Sequence, residues 1–320
     1  MTIYETYVFD LGAQEYDRDA AIRMLDEQGF IVLRNAFQRE SVAYTIEAVA
    51  DYTRRPAVAG VPGYWKVDHP KKIFNPCLLG GPVFDLLLNE KVIELVETYM
   101  DSECVLAEAN VKVDEPVGYE YFPLHSDFTI GWKKNPDAEE GLTAENLADP
   151  VGVGAAIYLH DTTEGAFSYC VGTHKQLPLR GADLADYPPD ERRRIEATKK
   201  RIDGKSGDLV LFDDRGFHGP DQPSRARRTV ILLDYYRVKT FGFRQVSPMP
   251  IWSCDLTRLS PRQLRVFGAG ADYMVAPEEY MGARFRRNRL YGIVTRLIEN
   301  AYLLTHFKQL VKSCIRGRTN

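Results

Sequence analysis

The sequence predicts a mainly β fold with flanking helices, a β-sandwich or barrel of jelly-roll type. Three observations carry this. Between residues 105 and 237, short apolar runs alternate with turn residues, a spacing that suits strands. Helical periodicity occurs ahead of those runs and again near the C-terminus. The 320 residues are 44% hydrophobic, enough to bury the core of one large domain with additions.

In chain order, residues 17–28 read as a helix, with Ala21, Ile22 and Leu25 at helical spacing and Gly29 to close it. Residues 30–33 (FIVL) form a short buried strand, and 39–54 a second amphipathic helix. The stretch 56–82 is rich in Pro and Gly and carries Tyr64, Trp65, Lys71 and Lys72; such a segment is either a functional loop or poorly ordered. Residues 86–100 are helical, with Leu88, Val92, Leu95, Val96 and Tyr99 on the apolar stripe. A strand over 105–113 follows, then the stretch 121–129, then a polar, acidic loop or lid over 132–150. Strands over 151–160 and 166–171 are joined through Thr162-Thr163-Glu164-Gly165 as a hairpin. Residues 188–201 read as a charged surface helix, and strands over 208–213, 228–237 and 240–246 complete the barrel. The organisation expected is a jelly-roll domain over 1–250 with N-terminal helices, and a helical extension over 251–320.

The end of that extension is basic: residues 284–320 hold nine Lys or Arg and one acid, Glu299. Leu290, Ile293, Leu297 and Leu304 give it an apolar stripe. Such a helix is expected first to dock on the barrel; otherwise its basic face contacts a second copy or an anionic membrane surface, with self-association ranked above membrane contact. The net charge of −4 gives no general affinity for nucleic acid. Cys77, Cys104, Cys170, Cys254 and Cys314 are odd in number and show no C-x-x-C pairing, so they read as free thiols of a reducing cytoplasm. No secretory signal and no apolar run of membrane-spanning length is expected.

The chemistry gathers at 121–129, YFPLHSDFT. On a strand, His125 and Asp127 would project from one face. A third ligand would come from His218 in GDLVLFDDRGFHGP, after the apolar run 209–212. Two imidazoles and one carboxylate form the facial triad of non-haem Fe(II) oxygenases and leave three positions open. Asp213 and Asp214 rival Asp127 as the carboxylate, though the two-residue offset from His125 suits a tripod better. Arg228 leads into the apolar run 229–233, where only a paired charge is tolerated, whereas Arg225 and Arg227 read as solvent-facing.

These segments resemble the phytanoyl-CoA dioxygenase family of Fe(II)- and 2-oxoglutarate-dependent oxygenases. The resemblance spans about residues 19–246 and rests on GFIVLRNAF, PLHSDF, EGAFSYCVGTHK and GDLVLFDDRGFHG followed by Arg228. It implies a double-stranded β-helix, the cupin-like jelly roll. It also implies iron ligation by His125, Asp127 and His218, with Arg228 receiving the far carboxylate of 2-oxoglutarate. Lys72 and Asn110 sit where family members contribute further co-substrate contacts. Pro220 replaces a serine of some members, and Thr129 or Thr229 is a substitute for its hydroxyl. Ala155 stands near a position often aromatic in the family, which would enlarge the site. His174 would belong to a structural turn.

With O2 as the second co-substrate, such an enzyme hydroxylates a C–H bond and releases succinate and CO2. Related halogenating enzymes lack the carboxylate that Asp127 supplies, so its presence favours hydroxylation, desaturation or ring closure. Tyr64, Trp65, Tyr121, Phe128 and Trp132 are expected near the mouth of a small-molecule site, or in the core, and Lys66, Lys133 and Lys134 permit an anionic substrate. The alternatives are a cupin-like isomerase or hydrolase using Zn2+ or Mn2+, and a silent relative that binds a partner through its basic C-terminal helix.

Overall fold

The computed structural model describes residues 7–54, 64–66, 71–74, 76–116, 118–120, 122–133, 140–176, 183–242 and 256–268. Helix α1 (Arg18–Gln28) starts where the Asp17 side chain accepts from the Ala20 amide, and Gly29 ends it at φ 88°. No other residue would fit there, since a Cβ on Gly29 would lie 2.5 Å from the Tyr169 ring. Strands β1 (Val8–Asp10) and β2 (Phe30–Arg34) pair in parallel on either side of that helix in the chain. Helix α2 (Arg39–Arg54) follows.

The single helix expected over 86–100 is two, α3 (Val83–Leu87) and α4 (Glu90–Tyr99). Asn89 divides them: its side chain accepts from the amides of Lys91 and Val92 and so starts a new helix. Within the expected loop over 56–82 lie two short strands, β3 (Tyr64–Lys66) and β4 (Lys71–Phe74), and a 3-10 turn at Pro76–Leu79.

The remaining strands are β5 (Cys104–Asp114), β6 (Gly152–Tyr158), β7 (Thr162–Cys170), β8 (Lys199–Gly204), β9 (Leu209–Asp213), β10 (His218–Pro220) and β11 (Arg228–Arg237). They form an eight-stranded sheet in the order β1-β2-β9-β6-β11-β5-β4-β3, faced by a three-stranded sheet in the order β10-β7-β8. Apart from the β1–β2 pair, every pairing is antiparallel. This is the jelly-roll architecture expected.

Three local expectations fail. The runs before and after residue 160 are not a hairpin: β6 pairs with β9 and β11, while β7 pairs with β8 and β10 in the opposite sheet. Their connection crosses between sheets, which the alternation of apolar residues cannot reveal. The charged helix over 188–201 stops early, as α5 (Pro189–Glu196), and its last residues enter β8. Because β8 lies at the edge of the small sheet, Lys199, Lys200 and Arg201 stay exposed and read as helix surface. The strand expected over 240–246 is replaced at its start by a helical turn, α6 (Val238–Phe241), closed by Gly242 at φ 66°; residues 243–246 lie outside the described ones.

Two layers of apolar packing fix the barrel. On the outer face of the large sheet, Leu211, Leu233, Ile231 and Val111 meet Leu25, Leu87, Ile93 and Val96 of the helices. Between the sheets, Phe30, Tyr158, Phe167, Tyr169 and Phe212 fill one end. Helix α7 (Pro261–Val266), held by a Ser260–Gln263 capping box, adds Val266 and Phe267 to the outer core, with Phe267 edge-on to Phe84 at 5.2 Å. The basic stretch 284–320 lies outside the described residues. Among the described residues no helix is long and apolar enough to cross a membrane.

Candidate metal centre

His218 opens β10 and is positioned by that strand's pairing with β7, opposite Tyr169. Its ring lies in an aromatic slot, 4.6 Å from Phe212 and 5.7 Å from Phe167 between centroids. His125 reaches it through one isolated antiparallel bridge. The His125 amide donates to the His218 carbonyl at 3.0 Å, and the His218 amide donates back at 2.8 Å. The stretch around His125 is therefore not a strand, contrary to expectation. Cross-chain pairing, rather than side-chain alternation along one strand, brings the two imidazoles within 4.5 Å. Asp127 is anchored separately: its amide donates to the Asp214 carbonyl, while the buried Ser126 hydroxyl donates to the carbonyls of Phe128 and Arg215.

The three side chains converge. His125 Nε2 lies 3.5 Å from Asp127 Oδ1, and His218 Nε2 lies 3.3 Å from Asp127 Oδ2. One ligand atom from each falls within 4.8 Å of the others. Atoms sharing an ion at about 2 Å sit roughly 3 Å apart when their angle is near 90°, so the spacing fits a cation. The ring orientations fit as well. Nδ1 of His125 faces the Pro123 carbonyl at 3.1 Å, and Nδ1 of His218 faces the Gly216 carbonyl at 2.9 Å. Each carbonyl claims the Nδ1 proton and leaves an Nε2 lone pair aimed at Asp127. Burial, reinforced by His218, pushes the His125 pKa down to about 4, so that ring is neutral at pH 7. Burial alone would raise the Asp127 carboxyl, but His218 and His125 beside it hold it below its usual range.

Of the rival carboxylates, Asp213 is occupied elsewhere. It is fully buried, accepts from the Tyr99 hydroxyl at 2.7 Å and pairs with Arg215 at 2.7 Å. Asp214 instead lies beside Asp127 and Asp234, the oxygens of all three falling within 4.8 Å. Neither Asp234 nor Glu108, its cross-strand neighbour on β5, is singled out by the sequence: Glu108 alternates with apolar residues and reads as a solvent face, and Asp234 is a lone acid in an apolar run.

At the other end of the barrel Arg228 is 4% exposed and is bound to Asp114, with Nε at 2.8 Å from Oδ2 and Nη2 on the same oxygen. Lys112 Nζ lies 3.7 Å from the other Asp114 oxygen and 4.5 Å above the Phe122 ring. Burial lowers the Lys112 pKa to about 8, helped by Arg228 and Lys72 and opposed by Asp114. Two cations thus share one acid here. Arg225 and Arg227 are exposed.

Asn110 lies between the two ends, buried, its amide donating to Glu108 while its Oδ1 has no hydrogen-bond partner. Lys72, half-buried, stands opposite Lys112 in the β4–β5 register. Thr129 opens the turn whose carbonyl accepts from the Trp132 amide.

Several expectations need correction. Thr229 neighbours Arg228 on the strand and points to the opposite face, so it supplies no hydroxyl to the interior. Ala155 packs in the outer helix-facing core and does not enlarge the site; Ala156 is the inward residue. Phe128 is fully buried in an aromatic group with Trp132, Tyr236 and Phe241 and is not part of a mouth. Tyr64 and Trp65 fall on β3, and Tyr121 and Lys134 lie outside the described residues. His174 is structural, as expected: its Nε2 donates to the Asp26 carbonyl at 2.8 Å and fastens α1 to the turn. His160 is exposed. His69 and His306 lie outside the described residues.

Comparison with known proteins accords with this architecture. The profile of the phytanoyl-CoA dioxygenase (PhyH) family matches residues 25–229. No curated protein matches the chain. Among solved structures, EctD from S. alaskensis with 2-oxoglutarate and 5-hydroxyectoine superposes with a TM-score of 0.56 at 19% identity, covering 77% of this chain and 85% of that one. The same protein with bound Fe superposes at 0.53 and 18% identity, over 68% of this chain and 76% of that one. AviO1 from Streptomyces viridochromogenes Tue57 superposes at 0.50 and 20% identity, over 70% of this chain and 96% of that one. At these identities the likeness is one of fold.

Proposed function

Because the chain belongs to the phytanoyl-CoA dioxygenase family, we propose that it is a non-haem Fe(II)- and 2-oxoglutarate-dependent dioxygenase. In this reading it hydroxylates a C–H bond of a small-molecule substrate and releases succinate and CO2. The observation that supports it most is the convergence of two imidazole Nε2 atoms and one carboxylate at 3.3–3.5 Å. A facial set of this kind leaves the opposite face of the ion open. Ferrous iron held there supplies the redox chemistry that couples 2-oxoglutarate decarboxylation to substrate oxidation by O2.

The chain's own residues do the rest. Pro123 and Gly216 hold the Nδ1 protons, so both imidazoles keep their donor lone pairs inward. Arg228 and Lys112 form a positive end that receives the far carboxylate of 2-oxoglutarate, and Asp114 fixes their positions. Lys72 and Asn110 stand on β4 and β5 between that end and the acids beside the triad, and Thr129 follows the ligand Asp127 by two residues as a further co-substrate contact. Asp127 occupies the place where a halide would otherwise sit, which favours hydroxylation.

The test is substrate-independent. Full-length protein given Fe(II), 2-oxoglutarate and O2 is expected to form succinate slowly without added substrate. Excess chelator stops it and Fe(II), but not Zn(II), restores it. Succinate formation that survives the chelator contradicts the reading.

A further inference from the structure

The inner face of the large sheet carries acids that iron ligation does not use. Asp214 follows β9 directly; it is fully buried, and neither of its carboxylate oxygens has a hydrogen-bond partner. Asp234 lies on β11 opposite Gly154 of β6 and Glu108 of β5. A bulge after Asp234 marks this point of the strand, and bulges of this kind commonly re-aim side chains beside active sites. Glycines let the Asp214 carboxylate and its aromatic neighbours pack closely on β6. A Cβ on Gly154 would lie 2.3 Å from Asp214 Oδ1 and 2.2 Å from the Phe212 ring, and one on Gly152 would lie 2.9 Å from Oδ2 and 2.4 Å from the Phe128 ring.

A fully buried carboxylate without a partner is costly, and a group of them more so. The oxygens of Asp214 and Asp234 lie within 4.8 Å of each other and of Asp127. Lys72 is a cation on β4, opposite Lys112 of β5. One lysine cannot offset Asp127, Asp214, Asp234 and Glu108 together. The iron charge does not remove the excess either, since the dianionic co-substrate arrives with it.

An aromatic wall closes the cluster. Tyr236, 7% exposed, stands on β11 two residues beyond Asp234, and its hydroxyl is pushed up by burial and then by Asp234, Asp127 and Asp214. Its ring rests on Phe128 at 5.2 Å and Phe241 at 5.2 Å. Carboxylates beside an aromatic face are the means by which proteins hold organic cations. A divalent metal gains nothing from such a ring.

We propose that this cluster is the substrate-recognition subsite and that the substrate carries an ammonium or amidinium group, held by Asp214, Asp234 and Glu108 beside the Tyr236 ring. The inference rests on the dioxygenase reading, in which Asp127 is committed to iron and the acids next to it are left for substrate. It reverses the expectation from Lys66, Lys133 and Lys134 of an anionic substrate.

The experiment uses full-length protein loaded with Fe(II) and 2-oxoglutarate without oxygen. Calorimetric titration compares n-hexylamine, 1-hexanol and hexanoate, three probes of one length and different charge. The amine is expected to bind at least about tenfold more tightly than the alcohol, a difference of about 1.4 kcal/mol, with hexanoate the weakest. Asp234→Asn and Glu108→Gln, both nearly isosteric, are each expected to reduce that preference to less than about threefold while the Fe(II)–2-oxoglutarate visible band is kept. Equal binding of amine and alcohol overturns the proposal and points to protonated acids. Preferred binding of hexanoate, or displacement of the amine by Mg2+, overturns it too. Failure of the visible band to form in the wild type instead overturns the dioxygenase reading on which it rests.

Discussion

Asp127→Ala and His218→Ala each reduce succinate formation to below about 1% of the wild-type rate, and they do so with unequal effects on the fold. Losing a metal ligand costs more than losing the outer partner of one, for which about 10–100-fold in affinity or activity is typical. Fe(II) affinity therefore falls by more than about 100-fold in both variants. Stability separates them. The His218 ring is wedged against Phe212 and Phe167, and its Nδ1 faces the Gly216 carbonyl. Truncating it leaves a cavity and an unanswered carbonyl, at a cost of about 2–4 kcal/mol. Asp127 stands among acids, and its charge helps to raise both Asp214 and Asp234. Its removal relieves that repulsion but also removes the contacts with His218 and His125 that hold its own carboxyl low. The two effects oppose, so the metal-free Asp127→Ala protein loses less stability than His218→Ala in urea titration. Succinate formation at the wild-type rate in either variant contradicts the ligand assignment. A loss of metal-free stability in Asp127→Ala as large as that in His218→Ala contradicts the electrostatic account.

Arg228→Ala destabilises the protein by up to about 3–5 kcal/mol, the usual cost of breaking a buried ion pair by removing one partner. Asp114 is 7% exposed and is contacted twice by Arg228, while Lys112, 3.7 Å from its other oxygen, stays beside it. The double variant Asp114→Ala/Arg228→Ala recovers part of the loss, because Asp114 no longer lacks its arginine, although Lys112 then loses its acid. Its apparent KM for 2-oxoglutarate stays raised by at least about tenfold, since the cation for the far carboxylate is missing. Urea titrations of the single and double variants, with KM measured on both, check this. A double variant as unstable as Arg228→Ala removes the buried-pair argument. A double variant with wild-type KM removes Arg228 from the co-substrate site.

How much of this was legible in the sequence depends on whether an element is defined locally. Helix α1 declares itself through Asp17 and Gly29, and β9 through four apolar residues after a turn. The architecture follows from the rhythm of such runs. His125 and Asp127 are visible because they are neighbours in sequence, and His218 because a recognisable strand leads to it. What holds them together is not visible: the His125–His218 bridge joins residues 93 apart in number, and no local pattern encodes it. The same applies to the crossing from β6 to β7, which looks like a hairpin until each strand's partners are known. The acids show the limit most clearly. Glu108 sits in a strand whose alternate residues are apolar, so it reads as the wet face of a sheet, and Asp234 is a lone acid after an apolar run. Barrel closure turns that face inward, and only then do they meet Asp214.

The central claim is that His125, Asp127 and His218 hold one ferrous ion with a side open to 2-oxoglutarate. Visible absorption of the Fe(II)-loaded protein, titrated with 2-oxoglutarate in the absence of oxygen, tests it most directly. The account predicts a weak metal-to-ligand charge-transfer band that saturates at one equivalent and is missing from His218→Ala. Folded, iron-loaded wild-type protein that shows no such band contradicts it.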